Sequence, residues 1–168
     1  MASGEEISGA WCFAKGSLLD NGNIVYDPRC KGAIGTTQTA AVNTATIIAA
    51  LADIGTEGGV LQLPPGTIDV TGSAITVSNP TIIQGMGQAQ TYLRVDGAGY
   101  ALQFTSTRCQ VHDLGFYHVG TVQASTGAIR IGDQAGLIKL ERLYFPADTY
   151  WYRNIDHAGA AADLRIRD

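Results

Sequence analysis

Four-residue runs of the form Ala-apolar-polar-apolar recur 27 residues apart, twice, as Ala74-Ile75-Thr76-Val77, Ala101-Leu102-Gln103-Phe104 and Ala128-Ile129-Arg130-Ile131. A second series, Ile82, Val111 and Leu140, has a spacing of 29, and Leu114-Gly115-Phe116 returns as Leu143-Tyr144-Phe145 at the same offset. A near-constant period of this length restricts a chain to architectures in which one supersecondary unit stacks on the next. Here the units are strands. Val60-Leu61-Gln62-Leu63, Thr67-Ile68-Asp69-Val70, Ala74-Ile75-Thr76-Val77 and Thr81-Ile82-Ile83-Gln84 follow one another, with Pro64-Pro65-Gly66, Gly72-Ser73 and Asn79-Pro80 in the short gaps. Strands this short, bent sharply at both ends, describe one coil of a β-solenoid. Its neighbours then lie about 4.8 Å above and below.

The fold class this predicts is all-β, a right-handed parallel β-helix of about four to five coils; the handedness follows from the preference of parallel crossovers. Alternation sends Ile75/Val77, Leu102/Phe104 and Ile129/Ile131 inward and leaves Thr76, Gln103 and Arg130 as an outward row. A leucine-rich repeat horseshoe needs a regular Leu-x-x-Leu-x-Leu frame and an Asn ladder, and neither occurs.

A solenoid end exposes unpaired backbone and apolar side chains, so it needs a cover. Residues 43–54 read as an Ala-rich helix placed to cap the first coil. Ile47, Leu51 and Ile54 recur at i, i+4, i+7 with Ile48 beside them. Asn43 or Thr44 can cap its start, and Gly55 can end it. Residues 1–35 read as an irregular attachment segment with one short hairpin around Asp20-Asn21-Gly22-Asn23, and residues 36–168 as the capping helix plus the coils. The segment either docks on a partner or packs on the neighbouring domain. Ala161-Ala162-Asp163-Leu164-Arg165-Ile166-Arg167-Asp168 stops within an alternating pattern, so either the chain continues past Asp168 or a partner covers that end.

Composition excludes several classes. With 45% hydrophobic and 15% charged residues the chain is too apolar to be disordered. A net charge of −4 without any run of five Lys/Arg argues against nucleic acid as partner. No apolar stretch approaches the roughly 18–20 residues of a membrane span. The acidic Met1-Ala2-Ser3-Gly4-Glu5-Glu6 start lacks the features of a signal peptide. Cys12, Cys30 and Cys109 form neither a disulfide framework nor a zinc site, and no metal or cofactor is expected. Cys12 and Cys30 can pair if the N-terminal segment folds back on itself; free thiols are the default for a chain made in the cytoplasm.

The stretch from Lys31 to about Val95 resembles the opening of the pectate-lyase-like β-helix superfamily. The resemblance rests on Lys31-Gly32-Ala33, Asn43-Thr44 leading the Ala-rich helix, Gly58-Gly59-Val60-Leu61-Gln62-Leu63-Pro64-Pro65-Gly66, Ile75-Thr76-Val77, Ile82-Ile83-Gln84-Gly85-Met86-Gly87 and Thr91-Tyr92-Leu93. Where that family often has Asp-rich residues before the helix, this chain has Thr36-Thr37-Gln38-Thr39. The resemblance implies a trimeric bacteriophage tailspike or tail fibre, or a secreted polysaccharide lyase or hydrolase. Under the first reading the chain is a homotrimeric virion protein made in the host cytoplasm. Residues 1–35 then attach it to virion or tail proteins, and the coils build a shaft involved in recognising cell-surface polysaccharide. The second reading makes it extracellular.

Glycan cleavage requires two carboxylates flanking the bond, or a base with a charge-neutralising cation. Ile155-Asp156-His157 is similar to the Ile-Asp-His stretch of many pectate lyases, which makes Asp156 and His157 the catalytic candidates. The Trp that precedes it in that family is replaced by Asn154, and the family's Arg-x-Pro element is absent. Tyr150, Trp151 and Tyr152 are candidates for carbohydrate or partner contact, since aromatic faces stack on sugars and anchor interfaces; burial under the next coil is the competing reading. The 29-residue offset also places Asp113 over Arg142 and His112 over Glu141, as ladder pairs between coils. Gly85-Met86-Gly87 lacks the helix and Lys of a nucleotide loop and reads as a turn.

Overall fold

The computed structural model describes residues 6–7, 10–11, 17–20, 23–121, 124–133, 135–146, 151, 153–158 and 164–167. The N-terminal stretch holds β1 (Glu6–Ile7) and β2 (Ala10–Trp11), an antiparallel pair, then β3 (Ser17–Asp20) and β4 (Asn23–Tyr26), a second antiparallel pair. The predicted hairpin is therefore present, with Asn21-Gly22 between its strands. Its second strand does not stand apart from the rest. β4 pairs in parallel with β5 (Gly59–Gln62), Val25 against Val60 and Tyr26 against Leu61. A one-turn 3-10 helix follows at Pro28–Cys30, where Asp27 accepts the Arg29 backbone N–H. Cys30 is disulfide-bonded, against the default expectation of free thiols. Cys12 lies outside the described residues.

Helix α1 spans Ala40–Ile54, three residues longer at its start than the periodicity predicts. Its N-cap is Thr39, whose hydroxyl accepts the Val42 N–H at 3.3 Å. Asn43 is no cap. It is fully buried one turn in, where its carboxamide accepts the Gly35 N–H at 2.9 Å and donates to the Gly35 carbonyl at 3.1 Å. Thr46 donates to the Ala33 carbonyl, and Thr44 accepts the Thr71 N–H. The helix thus uses polar side chains on its buried face to pin the loop before it and the end of a strand behind it. Ile47, Leu51 and Ile54 are buried as expected. Ile48 is 42% exposed, because Ala50 fills the remaining place on the packed face. Gly55 closes the helix at φ 60°.

From β5 onward the chain makes a β-solenoid of about four turns. The first coil holds β5, β6 (Gly66–Val70) and β7 (Thr76–Val77); the second holds β8 (Thr81–Gln84), β9 (Thr91–Asp96) and β10 (Tyr100–Phe104). The third holds β11 (Cys109–Val119) and β12 (Gly127–Ile131), the fourth β13 (Ile138–Tyr144) and β14 (Arg153–His157), and β15 (Leu164–Arg167) begins another. Every pairing between successive coils is parallel. One face stacks β7, β10, β12 and β14; another stacks β5, β8, the first half of β11, β13 and β15; the third stacks β6, β9 and the second half of β11. Helix α1 precedes the coils and packs on β5 and β6.

The 27-residue series sits in register as predicted, with Phe104 against Val77 and Ile131, and its inward residues are at most 1% exposed. Burying each such side chain contributes roughly 1.5–3 kcal/mol. The 29-residue series needs one correction. Val111 pairs with Leu140 as expected, but on its other side it faces Ile83, not Ile82. Leu61, Ile83, Val111, Leu140 and Ile166 form the inward row, so the coils measure 22, 28, 29 and 26 residues there. Two adjacent isoleucines offer two registers, and a slip of one residue exchanges inside for outside. Phe116 and Phe145 continue the core as rings 5.6 Å apart at 17°.

β11 turns a corner within itself. Asp113 has φ 57° and Arg142, stacked on it in β13, has φ 46°. This left-handed residue resets the alternation: Val111 is inward, His112 and Asp113 are both partly exposed, and Leu114 is inward again.

Candidate functional site

The outward row of the four-stranded face runs Thr76, Gln103, Arg130, Asp156, each in register with the next. Adding one further coil to the 27-residue series lands on Asn154-Ile155-Asp156-His157, so the local pattern that makes β14 is the repeat itself. Ile155 keeps the apolar inward place of Ile129.

Asp156 is 9% exposed despite its outward position. The Tyr100 hydroxyl donates to its Oδ2 at 2.6 Å, from two coils away. Arg153 Nη1 donates to its Oδ1 at 2.5 Å, and the Arg130 guanidinium lies 5.6 Å from the centre of the Tyr100 ring. The Tyr100 hydrogen bond, then Arg153, hold the Asp156 carboxyl below its ordinary range against the opposing effect of burial. Burial, then the bond to Asp156, pushes the Tyr100 hydroxyl up. A carboxylate held ionised with a donor on each oxygen cannot deliver a proton, and its low basicity makes it a poor general base. What the cluster does as it stands is tie the second coil to the fourth.

His157 does not join it. Successive residues of a strand face opposite sides. The register puts Asp156 beside Arg130 and His157 beside the core residue Ile131. His157 is exposed, with no coil described above it. The two catalytic candidates therefore cannot converge on one ligand from the same face.

Trp151 is half-buried against the core, its ring 5.1 Å from that of His118, and its Nε1 is buried without a hydrogen-bond partner. Of the readings open to it from sequence, burial under a neighbouring coil fits best. Tyr150 and Tyr152 lie outside the described residues. His118 is itself a core histidine, 5% exposed, with Nε2 2.8 Å from the Gly97 carbonyl.

The remaining outward positions are occupied by ion pairs between coils. Arg142 binds Asp113 with both Nε and Nη2 at 2.7 Å, and His112 Nδ1 lies 2.8 Å from Asp113 Oδ2. Arg142, then His112, lower the Asp113 carboxyl to about 2. His112 is in register with Glu141, as predicted, but its ring is turned to Asp113. Arg94 binds Asp69 through Nε at 2.5 Å and Nη2 at 2.7 Å. Among the described residues no three His, Cys, Asp or Glu side chains gather as a metal site would require.

Sequence reasoning overlooked the partners of Asp156. Tyr100, Gly127 and Arg153 occupy one register, and the 27-residue period already aligns the first two. The signal was present, but the Tyr, Gly, Arg succession shares no residue type, so only the period could reveal it.

Compared with known proteins, the chain matches no family model, no curated protein and no solved structure.

Proposed function

We propose that this chain is a virion structural protein, the particle-attachment and shaft region of a phage tailspike or tail fibre, working as a homotrimer. The observation that carries the reading is how the outward positions are used. Asp69–Arg94, Asp113–Arg142 and Tyr100–Asp156–Arg153 join coil to coil. The charged groups best placed for chemistry are engaged in holding a rod together. In this reading the coils wind right-handed, α1 caps the first coil, and residues 1–35 contact virion or tail proteins. The disulfide at Cys30 and the β4–β5 pairing would transmit load from that segment into the shaft. Light scattering across a concentration series tests it. A trimer is expected; a chain that remains monomeric at high concentration and does not associate with virion proteins overturns it.

The second reading is a polysaccharide lyase or hydrolase, favoured by the gathering of Asp156, Tyr100, Arg153 and Arg130 on one face. A panel of acidic and capsular polysaccharides decides, read by unsaturated-sugar absorbance and new reducing ends. The shaft reading expects neither signal. Turnover that disappears in Asp156→Asn would reverse the order of the two readings.

A further inference from the structure

The second face carries a column of outward side chains in register: Val60, Ile82, Gln110, Lys139, Arg165. Its last two members are both cations, stacked directly on each other one coil spacing apart, about 4.8 Å. Like charges directly opposed across a ladder are destabilising. Elsewhere this molecule avoids the arrangement: Asp69 faces Arg94, Asp113 faces Arg142, Arg130 faces Asp156 and Glu141 faces Arg167. The Lys139–Arg165 step departs from a rule the rest of the solenoid obeys.

A third cation joins them. Arg108, Gln110, Lys139 and Arg165 line a surface pocket of about 290 Å³ together with Cys109 and Leu137. Arg108 and Gln110 also line an adjoining hollow of about 160 Å³ beside Pro80 and Ile82. Arg108 sits at φ 58°, left-handed backbone that a non-glycine residue adopts at a cost of roughly 1–2 kcal/mol. The same corner in the first coil is Gly58, φ 83°, where no such cost arises. A cation is thus kept at a position that favours glycine, on the rim of a pocket that already holds two others. The one carboxylate nearby is Glu141, which pairs with Lys139 at 2.9 Å along the strand and lies 3.9 Å from Arg167; it does not line the pocket.

We propose that this pocket binds a phosphoryl group. Arg108 and Arg165 supply planar donor forks, Lys139 a point charge, and Gln110 a neutral amide. A phosphoryl group carries about 1.5–2 negative charges on three terminal oxygens, so one group can reach both stacked cations and relieve their repulsion. A carboxylate offers one charge and two oxygens. The source is either free phosphate or a phosphorylated saccharide presented at the pocket. The inference is independent of the trimer, because every residue it uses belongs to one chain.

The test is amide chemical-shift titration of the full chain with inorganic phosphate, glucose 6-phosphate, galacturonate and glucose. Phosphate and glucose 6-phosphate are expected to shift the amides of residues 108–110, 137–139 and 165 saturably, and glucose is expected to shift none. Arg108→Gln and Arg165→Gln, both at exposed positions, should each weaken binding at least about fivefold, with unchanged circular dichroism. Tighter binding of glucose 6-phosphate than of phosphate assigns the group to a saccharide; the reverse order assigns it to the free ion. Absence of saturable shifts up to about 10 mM phosphate overturns the proposal. So do shifts that both substitutions leave intact, or galacturonate binding as tightly as glucose 6-phosphate.

Discussion

Asp113 and Arg142 combine two unusual properties, left-handed backbone and a bidentate ion pair, at one corner of the solenoid. The pairing makes the corner sensitive to acid. The Asp113 carboxyl is lowered to about 2 in the fold, against roughly 3.9 unfolded. Its contribution is therefore complete above the unfolded value and is lost as pH falls through the folded one. Thermal melts of the native chain should show a fall in Tm between about pH 4 and pH 2. Asp113→Asn, which tolerates the left-handed backbone, should start lower and lose less over that interval. Tyr100 offers a second test. Tyr100→Phe removes the donor to Asp156 Oδ2 and should cost about 1–3 kcal/mol in urea unfolding. Cys109 is fully buried, and burial pushes its thiol up. It should react with thiol reagents only on unfolding. His112 and Asp113 were placed on the correct ladder from spacing alone. That the His112 ring would turn to its own neighbour and away from Glu141 depends on rotamers, which spacing does not contain.

Among elements, the strands show a recurring device in which a tyrosine of one coil covers a glycine of the next. A Cβ on Gly115 would lie 2.4 Å from the Tyr92 ring, and one on Gly127 would lie 2.5 Å from the Tyr100 ring. Gly115→Ala should therefore cost about 1–3 kcal/mol. Much of that loss should disappear when Tyr92→Ala is added, a non-additivity that a double-mutant cycle in urea would measure. At the helix, Thr39→Ala should cost about 0.5–2 kcal/mol by removing the cap. Helix α1 was legible as an element because its apolar residues repeat at helical spacing. Its first turn was not, because Ala40-Ala41-Val42 carries no periodic signal and Asn43 has the chemistry of a cap without the position of one. The hairpin of β3 and β4 was legible from Asn21-Gly22. That β4 would extend the sheet of the coils was not, since nothing local specifies a partner 35 residues on, where Val25 meets Val60.

For the whole molecule, the solenoid could be read before any coordinate because a parallel stack repeats its pattern at each coil. The inward rows of β7, β10 and β12 needed only the 27-residue period. Oligomeric state belongs to this scale, and light scattering should return the mass of three chains. What the sequence alone determined is the type of coil, the corners marked by Gly, Pro and Asn, and the faces of strands whose alternation is unambiguous. Those features are local, since pleat and helix periods are properties of the backbone. Tertiary structure decided the rest. It chose Ile83 over Ile82 for the core, sent His157 to the opposite side from Asp156, and brought Tyr100 and Arg153 to that carboxylate. It also stacked Lys139 on Arg165. Each of these outcomes depends on which residue lies one coil away, and coils that vary from 22 to 29 residues set that distance only when they close.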